Sequence, residues 1–304
     1  MFANTKILLK KAQQQHYAVG HFNVDNMETM QAVVQAAEKQ RSPVILAVSE
    51  GAIKHAGLGY LYSLAQMAVH CQKVPIALHL DHGQDMELIK QCINLGFSSV
   101  MIDASHHPFE KNVQLTKQIV QLAHAKNVTV EAELGTIGGA EDNVKSRNIL
   151  YTDVKKAQEF VKRTGCDALA VAIGTSHGAY KFAGKARLKI DLLKEIRKTI
   201  NVPLVLHGAS CVPKELIKQN QRYGAKLSGM EGVPDAQIKL AIKNGITKIN
   251  TDTDLRLAFT AAVRKVLKTQ PAEIDPRKMI GPARDLMQKV VEQRIRLFGS
   301  MGKA

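Results

Sequence analysis

The chain has 304 residues, of which 45% are hydrophobic, and its 42 Lys and Arg exceed its 27 Asp and Glu to give a formal net charge of +15. That apolar fraction is typical of a globular protein with a sizeable core. No apolar run approaches the ~20 residues that a membrane-spanning helix needs, which speaks against an integral membrane protein. The N-terminal segment has only a short apolar cluster and no small-residue cleavage site, so we expect no signal peptide.

The excess positive charge favours anionic partners, either nucleic acid or phosphorylated small molecules. The basic residues are spread along the chain with few aromatic residues among them, without a recognition helix or a stacking platform. We therefore interpret them as a solvated basic surface and expect neither a nucleic-acid nor a membrane partner. Cys71, Cys92, Cys166 and Cys211 lack CxxC spacing, which indicates free thiols in a reducing cytoplasm.

Short runs rich in β-branched residues alternate with amphipathic helical patterns along the chain. The eight predicted strands cover residues 17–23, 43–49, 75–81, 98–104, 128–134, 167–174, 203–208 and 246–250. The predicted helices cover residues 27–40, 59–71, 86–96, 112–127, 152–165, 193–200, 235–245 and 283–299. This alternation predicts an α/β fold, a (β/α)8 TIM barrel, in a single domain over residues 1–304 with a C-terminal helical extension.

A doubly wound open sheet is the alternative fold, but it usually has a Gly-rich turn after its first strand, and residues 24–29 contain no glycine.

Two long segments, residues 135–152 after strand five and 208–234 after strand seven, are predicted to be loops. Barrel enzymes place lids and ligand-binding segments in such connections.

Polar side chains recur at or just beyond the C-terminal ends of the predicted strands. They are Asn23, Ser49, Asp81, His82, Asp103, Glu133, His177, His207 and Asn250. In this architecture that end of the barrel carries the active site. His82, His177 and His207 each precede a glycine, and three neutral imidazoles with an open coordination position are a familiar catalytic zinc site. The other eight histidines are interpreted as structural.

Carboxylates accompany the three histidines. Strand alternation places Asp81 on the same face as His79, with His82 turning away at the strand exit, so Asp81 is a candidate for proton transfer beside the metal. Glu133 and Asp103 offer oxygen ligands for a second or alternative divalent ion. Helix capping is an equally good interpretation of Asp103.

Several short segments could bind phosphate. Gly178 with Lys181, and Gly208 with Ser210, offer backbone amides, an ammonium and a hydroxyl. Asn250 and Thr253 follow strand eight, and amides after strands seven and eight form a recurrent phosphate site in barrels. Arg256 either reaches a second phosphate or lies on a helix surface.

Three other functions are compatible with parts of the sequence. Lys248 is two positions before Asn250, on the same face of strand eight, and could form a Schiff base with a carbonyl substrate, which would make the three histidines incidental. A metal-dependent hydrolase barrel usually shows HxH after strand one, whereas this chain reads HFN at residues 21–23. The positive charge also permits a nucleic-acid- or surface-binding protein without enzymatic activity.

The motifs together resemble those of the class II, metal-dependent fructose-bisphosphate aldolases, a family that includes tagatose-bisphosphate aldolases. The matching strings, in family order over residues 1–300, are HFNVDN, SEGA, LHLDHG, SVMIDAS, VEAELGTIGGAED, GTSHGAYKF, LVLHGAS and KINTDTDLR. LHLDHG, GTSHG and NTDTDLR in combination are highly specific. The resemblance implies reversible cleavage of fructose 1,6-bisphosphate into dihydroxyacetone phosphate and glyceraldehyde 3-phosphate, with the tagatose ester as the alternative substrate.

The resemblance also implies roles for individual residues. Zinc would be bound by His82, His177 and His207, with Asp103 and Glu133 at secondary metal positions. Asp81 would exchange the proton of the C4 hydroxyl, and Glu141 would act as the base at the triose carbon. The residues implied in substrate and phosphate contacts are Ser49, Gly178, Lys181, Gly208, Ser210, Asn250, Asp252, Thr253 and Arg256. A monovalent cation near the phosphate, a homo-oligomer (dimer or tetramer) and a role in glycolysis and gluconeogenesis are further expectations.

Overall fold

The computed structural model describes residues 1–141, 144–146, 150–177 and 187–304, with the backbone alone for residues 138–141, 144–146 and 177. The strands of this part of the chain are β1 Val19–Asn23, β2 Val44–Ser49, β3 Ile76–Gly83, β4 Ser99–Ile102, β5 Thr129–Leu134, β6 Gly138–Glu141, β7 Val144–Ser146, β8 Ala168–Val171, β9 Ser176–His177, β10 Leu204–Leu206 and β11 Ile246–Thr251. The helices are α1 Thr5–Gln15, α2 Met27–Gln40, α3 Glu50–Ala56, α4 Leu58–Cys71, α5 Met86–Leu95, α6 Phe109–His124, α7 Val154–Thr164, α8 Ile190–Thr199, α9 Lys214–Arg222, α10 Asp235–Lys243, α11 Thr253–Thr269 and α12 Pro276–Phe298.

Eight of these strands form a closed barrel in the order β1-β11-β10-β8-β5-β4-β3-β2, with parallel pairing between neighbours. Helices lie between successive strands of the barrel, so the chain folds as a (β/α)8 TIM barrel. The eight strands predicted from the sequence are all present. Among the described helices, none is long and apolar enough to cross a membrane.

The structure corrects the two long loop predictions. The segment 208–234 contains α9, whose sequence KELIKQNQR buries only Leu216 and Asn220 and so lacks a strong apolar pattern. The segment 135–152 contributes β6 and β7, which form a small sheet with β9. Three further helices, α1, α3 and α11, are also absent from the sequence-based prediction.

Alternate residues of each barrel strand point to opposite faces, and this divides the apolar residues into two cores. The outward-facing residues pack under the surrounding helices, with Phe22, Leu46 and Leu78 among them. A smaller cluster combines inward-facing residues with one side of α1, and its members are Leu8, Leu9, Ala12, Tyr17, Val19, Ile45, Ala77, Ala168, Ala170 and Val205. Helix α1 therefore closes the N-terminal end of the barrel with apolar side chains.

The inward positions nearer the C-terminal end are polar instead. They include His21, His79, Asp81, Glu131, Glu133, Lys248 and Asn250, all of which are buried. They occupy successive inward positions of their strands, as His79 and Asp81 do in β3, and the register pairs His21 of β1 with Asn250 of β11. Burial of charged side chains is costly unless they are paired, so this layer must satisfy itself through mutual contacts.

Candidate active site

His82 departs from strand geometry at the end of β3, and this separates it from Asp81. Its backbone φ is 46°, in the left-handed region, and the pairing of β3 with β4 shifts register between Leu80 and Gly83. A β-bulge of this kind re-aims one side chain and leaves the preceding strand intact. Asp81 stays inside the barrel, while the ring centroid of His82 lies 4.6 Å from that of His207.

His82, Glu133 and His207 form a cluster of potential metal ligands. One ligand atom from each lies within 4.8 Å of the others. The side chains of Glu133 and His207 are 2% and 0% exposed. Two imidazoles and a carboxylate are a donor set that divalent ions such as zinc accept.

Carboxylates fix the orientation of both imidazoles. Nδ1 of His82 donates to Oδ2 of Asp103 over 2.8 Å, and Nε2 of His207 donates to Oε1 of Glu131 over 2.8 Å. A carboxylate only accepts hydrogen bonds, so in the neutral rings, the form that binds a metal, the lone pairs would lie on Nε2 of His82 and Nδ1 of His207. This is the arrangement in which metal-ligating histidines are usually held.

The position of Glu133 supports the same conclusion. Its Oε2 atom lies 3.3 Å from Nδ1 of His207. That oxygen is buried and accepts no hydrogen bond from the described residues. A buried carboxylate oxygen beside an imidazole nitrogen is a site at which a cation, either a proton or a metal ion, compensates the lost hydration. The residues present therefore fit a divalent metal ion.

The electrostatics of the cluster also favour a positive charge. Burial lowers the pKa of His82, but the carboxylates of Asp81 and Asp103 outweigh burial and raise it to about 10. Burial likewise opposes ionisation of His207, and the carboxylate of Glu131 contributes to a raised pKa there. A metal ion would occupy a position that already attracts a cation.

The backbone of His177 lies next to this cluster. His177 and Ser176 form β9, which pairs with β6. The carbonyl oxygen of Ser176 approaches Gly208, where a Cβ atom would lie only 2.6 Å away and the backbone φ is 58°. Glycine at 208 thus permits the close approach of the segments that contain His177 and His207.

Some of the predicted site residues lie outside the described part of the chain. Gly178 and Lys181 do so entirely. For His177 and Glu141 the side chain lies outside it, although the backbone of each is in a strand.

Asp81 is held by amide and imidazole groups inside the barrel. Its Oδ2 accepts a hydrogen bond from Nδ2 of Asn23 over 2.9 Å, and its Oδ1 accepts one from Nδ2 of Asn250 over 3.3 Å. Nε2 of His21 lies 3.5 Å from Oδ2. Burial raises the pKa of Asp81, but His21 and His82 lower it by more, to well below its usual value. The carboxylate is therefore ionised and able to accept a proton.

Asp103 and Ser49 have local structural contacts in addition to their place at the barrel mouth. Oδ1 of Asp103 accepts from the backbone N–H and the hydroxyl of Ser105, so Asp103 does not cap α6, whose N-cap is Pro108. The hydroxyl of Ser49 caps α3 by accepting from the backbone N–H of Ala52 over 3.1 Å.

The predicted phosphate residues after β10 and β11 come together. The hydroxyl of Ser210 accepts from the backbone N–H of Asp252 over 3.3 Å. Asp252 is the N-cap residue of α11 and Thr253 is its first residue. Arg256, whose side chain is 55% exposed, lies 2.8 Å from the Asp252 carboxylate. A cavity of about 350 Å³ beside them is lined by Asn23, Val24, Asp25, Ser49, Gly51, Ala52, His55, Asp252 and Arg256.

Lys248 lacks the environment of a Schiff-base nucleophile. Its side chain is 0% exposed, and its Nζ atom lies 3.0 Å from both carboxylate oxygens of Glu131 and 2.9 Å from Oδ1 of Asn250. An ammonium that donates three hydrogen bonds has no lone pair for attack on a carbonyl.

The family model described as "Fructose-bisphosphate aldolase class-II" matches residues 3–303. The chain belongs to the class II fructose-bisphosphate aldolase family. Among its relatives, the fructose-bisphosphate aldolase of Thermus caldophilus is 50% identical, with 98% of each chain covered. That of Giardia intestinalis is 48% identical, covering 98% of this chain and 93% of the relative. The crystal structure of the YdjI aldolase from Escherichia coli K12 aligns over 100% of both chains with a TM-score of 0.81 and 35% identity.

Class II aldolases are generally metal-dependent, and the cluster of His82, Glu133 and His207 in this family member could bind a metal ion. A second group of potential ligands, His21, His79 and Asp81, lies deeper in the barrel. Burial and the nearby ammonium of Lys248 lower the pKa of His21 to about 4. A positive charge so close makes this second group a poor cation site.

Sequence reasoning missed three contributors to the class II aldolase site. Glu131 orients His207, and the signal available for it was a second acid two positions before Glu133 in a buried strand. Asn23 was noted only as a polar strand end. His21 was interpreted as structural, and nothing in its sequence context indicates its proximity to Asp81.

Proposed function

We propose that this protein catalyses the reversible, metal-dependent aldol cleavage of fructose 1,6-bisphosphate into dihydroxyacetone phosphate and glyceraldehyde 3-phosphate. The observation that carries the proposal is the convergence of His82 and His207, each oriented by a carboxylate, beside the ionised and buried Asp81. Relatives named fructose-bisphosphate aldolase, up to 50% identical over nearly the whole chain, support the same reaction and substrate.

The metal ligands in this proposal are His82, His177 and His207, and the ion is zinc. When bound, the ion supplies a Lewis acid that stabilises negative charge developing on the carbonyl oxygen of the substrate. His82 and His207 present one lone pair each, since their other nitrogens donate to Asp103 and Glu131. Glu133 offers an oxygen ligand to the same ion or to a second one.

Asp81 removes the proton of the C4 hydroxyl in the cleavage direction. Its carboxylate is ionised, and Asn23 and Asn250 fix its two oxygens, so the base is oriented before the substrate arrives. The C3–C4 bond then breaks: its electron pair stays on C3, C4 becomes the aldehyde carbon, and the proton is on Asp81. Glu141 is the group that protonates C3 to complete dihydroxyacetone phosphate.

Binding of the two phosphate groups positions the substrate relative to Asp81 and Glu141. We assign Gly178, Lys181, Gly208, Ser210, Asn250, Asp252 and Thr253 to contacts with one phosphate or with the substrate carbons and hydroxyls beside it, with a monovalent cation nearby. Arg256 and Ser49, which border the cavity of about 350 Å³, bind the other end of the substrate. Binding energy from the phosphates reduces the entropic cost of aligning the reacting carbon with Asp81.

The cellular setting follows from the same chemistry. We propose a cytoplasmic homo-oligomer that acts in glycolysis and gluconeogenesis. The four cysteines are free, as is usual for proteins of a reducing compartment.

The experiment is an aldol cleavage assay on purified protein that has been treated with a chelator and then dialysed. Fructose and tagatose 1,6-bisphosphates are each tested with and without added zinc. The proposal expects zinc-restored cleavage with a higher kcat/KM for the fructose ester. His207→Ala, which removes a ligand, should lose metal content and turnover together, whereas Lys6→Met at the opposite end of the barrel should retain both.

Full activity in the presence of the chelator would contradict the metal-dependent mechanism. A higher kcat/KM for the tagatose ester would overturn the substrate assignment and retain the reaction class. Absence of cleavage of either ester after zinc addition, with RNA binding that weakens with salt, would favour the non-enzymatic alternative.

A further inference from the structure

Lys248 is a charged group enclosed inside the barrel. Its ammonium has three N–H donors, and each has an acceptor: Oε1 and Oε2 of Glu131, both at 3.0 Å, and Oδ1 of Asn250 at 2.9 Å. The side chains of Lys248 and Glu131 are 0% and 1% exposed. A buried ion pair of this kind contributes little net stability.

One branch of these contacts leads to the metal cluster. Oε1 of Glu131, which Lys248 holds, also accepts the Nε2 proton of His207 over 2.8 Å. That bond keeps Nδ1 of His207 as the lone-pair nitrogen facing Glu133. Because Lys248 contacts both oxygens of Glu131, the carboxylate has no freedom to rotate away from His207.

The other branch leads to the proton-transfer residue. Asn250 has one oxygen and one NH₂ group, and its oxygen accepts from Lys248. The NH₂ group is therefore the end that faces Asp81, and it donates to Oδ1 over 3.3 Å. Without the ammonium, the buried oxygen of Asn250 would lose its donor, and Asp81 alone would hold the amide in this orientation.

We propose that Lys248 is a positioning residue that sets the metal ligand His207 and the base Asp81 at the same time. One ammonium fixes the tautomer of His207 through Glu131 and the amide orientation of Asn250 toward Asp81. The inference rests on the proposed function, in which His207 binds the metal and Asp81 transfers the proton. Lys248 itself touches neither metal nor substrate.

The test compares the full-length enzyme with Lys248→Met, which keeps the length of the side chain and removes the ammonium. The zinc dissociation constant is measured by competition with a chromogenic chelator, and the cobalt-substituted proteins are compared by their visible d–d absorption. We expect a zinc dissociation constant about 10–100-fold higher, the range usual when a group behind a metal ligand is lost. The d–d bands should change in position or intensity, and kcat should fall at least 10-fold with KM within about 2-fold.

Two further variants separate positioning from folding. Lys6→Met breaks the ion pair of Lys6 with the buried Asp167, 2.8 Å apart, far from the site. It should lower stability yet leave zinc affinity, the cobalt spectrum and kcat unchanged. If Lys248→Met does not fold because Glu131 is left with an unpaired charge, the double variant Lys248→Met/Glu131→Gln removes both charges. That variant should fold and still show a reduced kcat.

Wild-type zinc affinity, cobalt spectrum and kcat in Lys248→Met, or in the double variant, would overturn the inference. The variant His207→Ala distinguishes failure of this inference from failure of the proposed function. If His207→Ala loses zinc while Lys248→Met is normal, the positioning role alone is wrong. If His207→Ala keeps zinc and turnover, the metal assignment itself is wrong.

Discussion

Asp81 is a buried carboxylate with two amide donors, and its ionisation depends on the residues around it. Burial by itself would favour the protonated acid, but the imidazoles of His21 and His82 lower the pKa of Asp81 well below its usual range. Hydrogen bonds from Asn23 and Asn250 hold the anion in one orientation. A base that is oriented before substrate binds loses little activation free energy to reorganisation.

Replacement of this base separates proton transfer from metal binding. Asp81→Asn keeps the size of the side chain and removes the proton acceptor, so we expect kcat to fall by about 10²–10⁴-fold, the contribution typical of a general base. The bound zinc, measured by atomic emission, should stay at the wild-type level because Asp81 is not a ligand in this account. Near-normal turnover, or loss of zinc along with turnover, would contradict the role assigned to Asp81.

The sequence allows some of these residues to be predicted and not others. The sequence predicts that His82, His207 and Asp81 lie close together, because they end barrel strands and stand beside glycine or beside each other, and the structure brings them together. The sequence does not predict that Glu131 belongs to the site. Its role in orienting His207 depends on Lys248, which lies 117 positions further along the chain. The alternation of a strand shows which of its residues point into the barrel. It does not show which residue of a distant strand each of them contacts across the interior.

Among the secondary structure elements, α1 closes the N-terminal end of the barrel. Leu8 and Leu9 pack against inward-facing aliphatic residues, and the side chain of Asn4 caps the helix by accepting from the backbone N–H of Ile7. Lys6 of the same helix pairs with Asp167, which directly precedes β8. The N-terminal end of the barrel is therefore apolar and closed. The polar residues of the candidate active site lie toward the opposite, C-terminal end.

The pairing of Asp167 predicts a pH-dependent contribution to stability. Burial raises the pKa of Asp167, but hydrogen bonds from Lys6, the Val130 N–H and His124 lower it by more, to below its ordinary value. Its stabilisation should be complete above about pH 4, the unfolded-state pKa, and be lost as pH falls through the lower folded-state pKa. Asp167→Asn should cost about 1–3 kcal/mol of unfolding free energy at pH 7, in line with hydrogen bonds to charged groups.

Urea unfolding of wild type and Asp167→Asn at pH values from 7 to 3 measures this contribution. The difference in unfolding free energy should shrink below about pH 4, where the carboxylate of the unfolded chain begins to bind a proton while the folded one is still ionised. A difference that stays constant across the range, or grows with acidity, would contradict the pairing.

At the level of elements, the strands were predictable and several helices were not. The barrel strands are short runs rich in β-branched residues and buried on both faces, and such runs can be recognised from the local sequence alone. Helix α9 buries two residues, and its QNQR segment resembles a loop, so its helical state depends on packing against α11. The sheet of β6, β7 and β9 is not predicted by the sequence because its strands have only two to four residues each and β6 begins with two glycines.

For the molecule as a whole, metal binding and stability should be linked. The barrel mouth gathers the carboxylates of Asp81, Asp103, Glu131 and Glu133, with Lys248 as the only lysine or arginine side chain hydrogen-bonded to any of them among the described residues. A divalent ion bound there stabilises the folded state because the unfolded chain lacks the assembled site. The positive surface, by contrast, includes exposed pairs such as Lys90–Glu87 and Lys194–Asp191, which contribute little to stability.

Chelated protein should therefore be less stable than metal-loaded protein. With free zinc at about 1,000 times its dissociation constant, we expect the unfolding free energy to rise by about 4 kcal/mol. Thermal unfolding with and without zinc measures the effect, and His207→Ala should show no zinc-dependent shift in Tm. Equal Tm values for chelated and zinc-loaded wild type would argue against a metal site built into the fold.

The most direct measurement of the central claim is anomalous diffraction at the zinc edge from crystals of the zinc-loaded protein. The account predicts a peak at the C-terminal mouth of the barrel, about 2.0–2.1 Å from Nε2 of His82, Nδ1 of His207 and one ring nitrogen of His177. A zinc ion bound away from His82 and His207, or no site in the barrel of a protein that nonetheless cleaves fructose 1,6-bisphosphate, would contradict it.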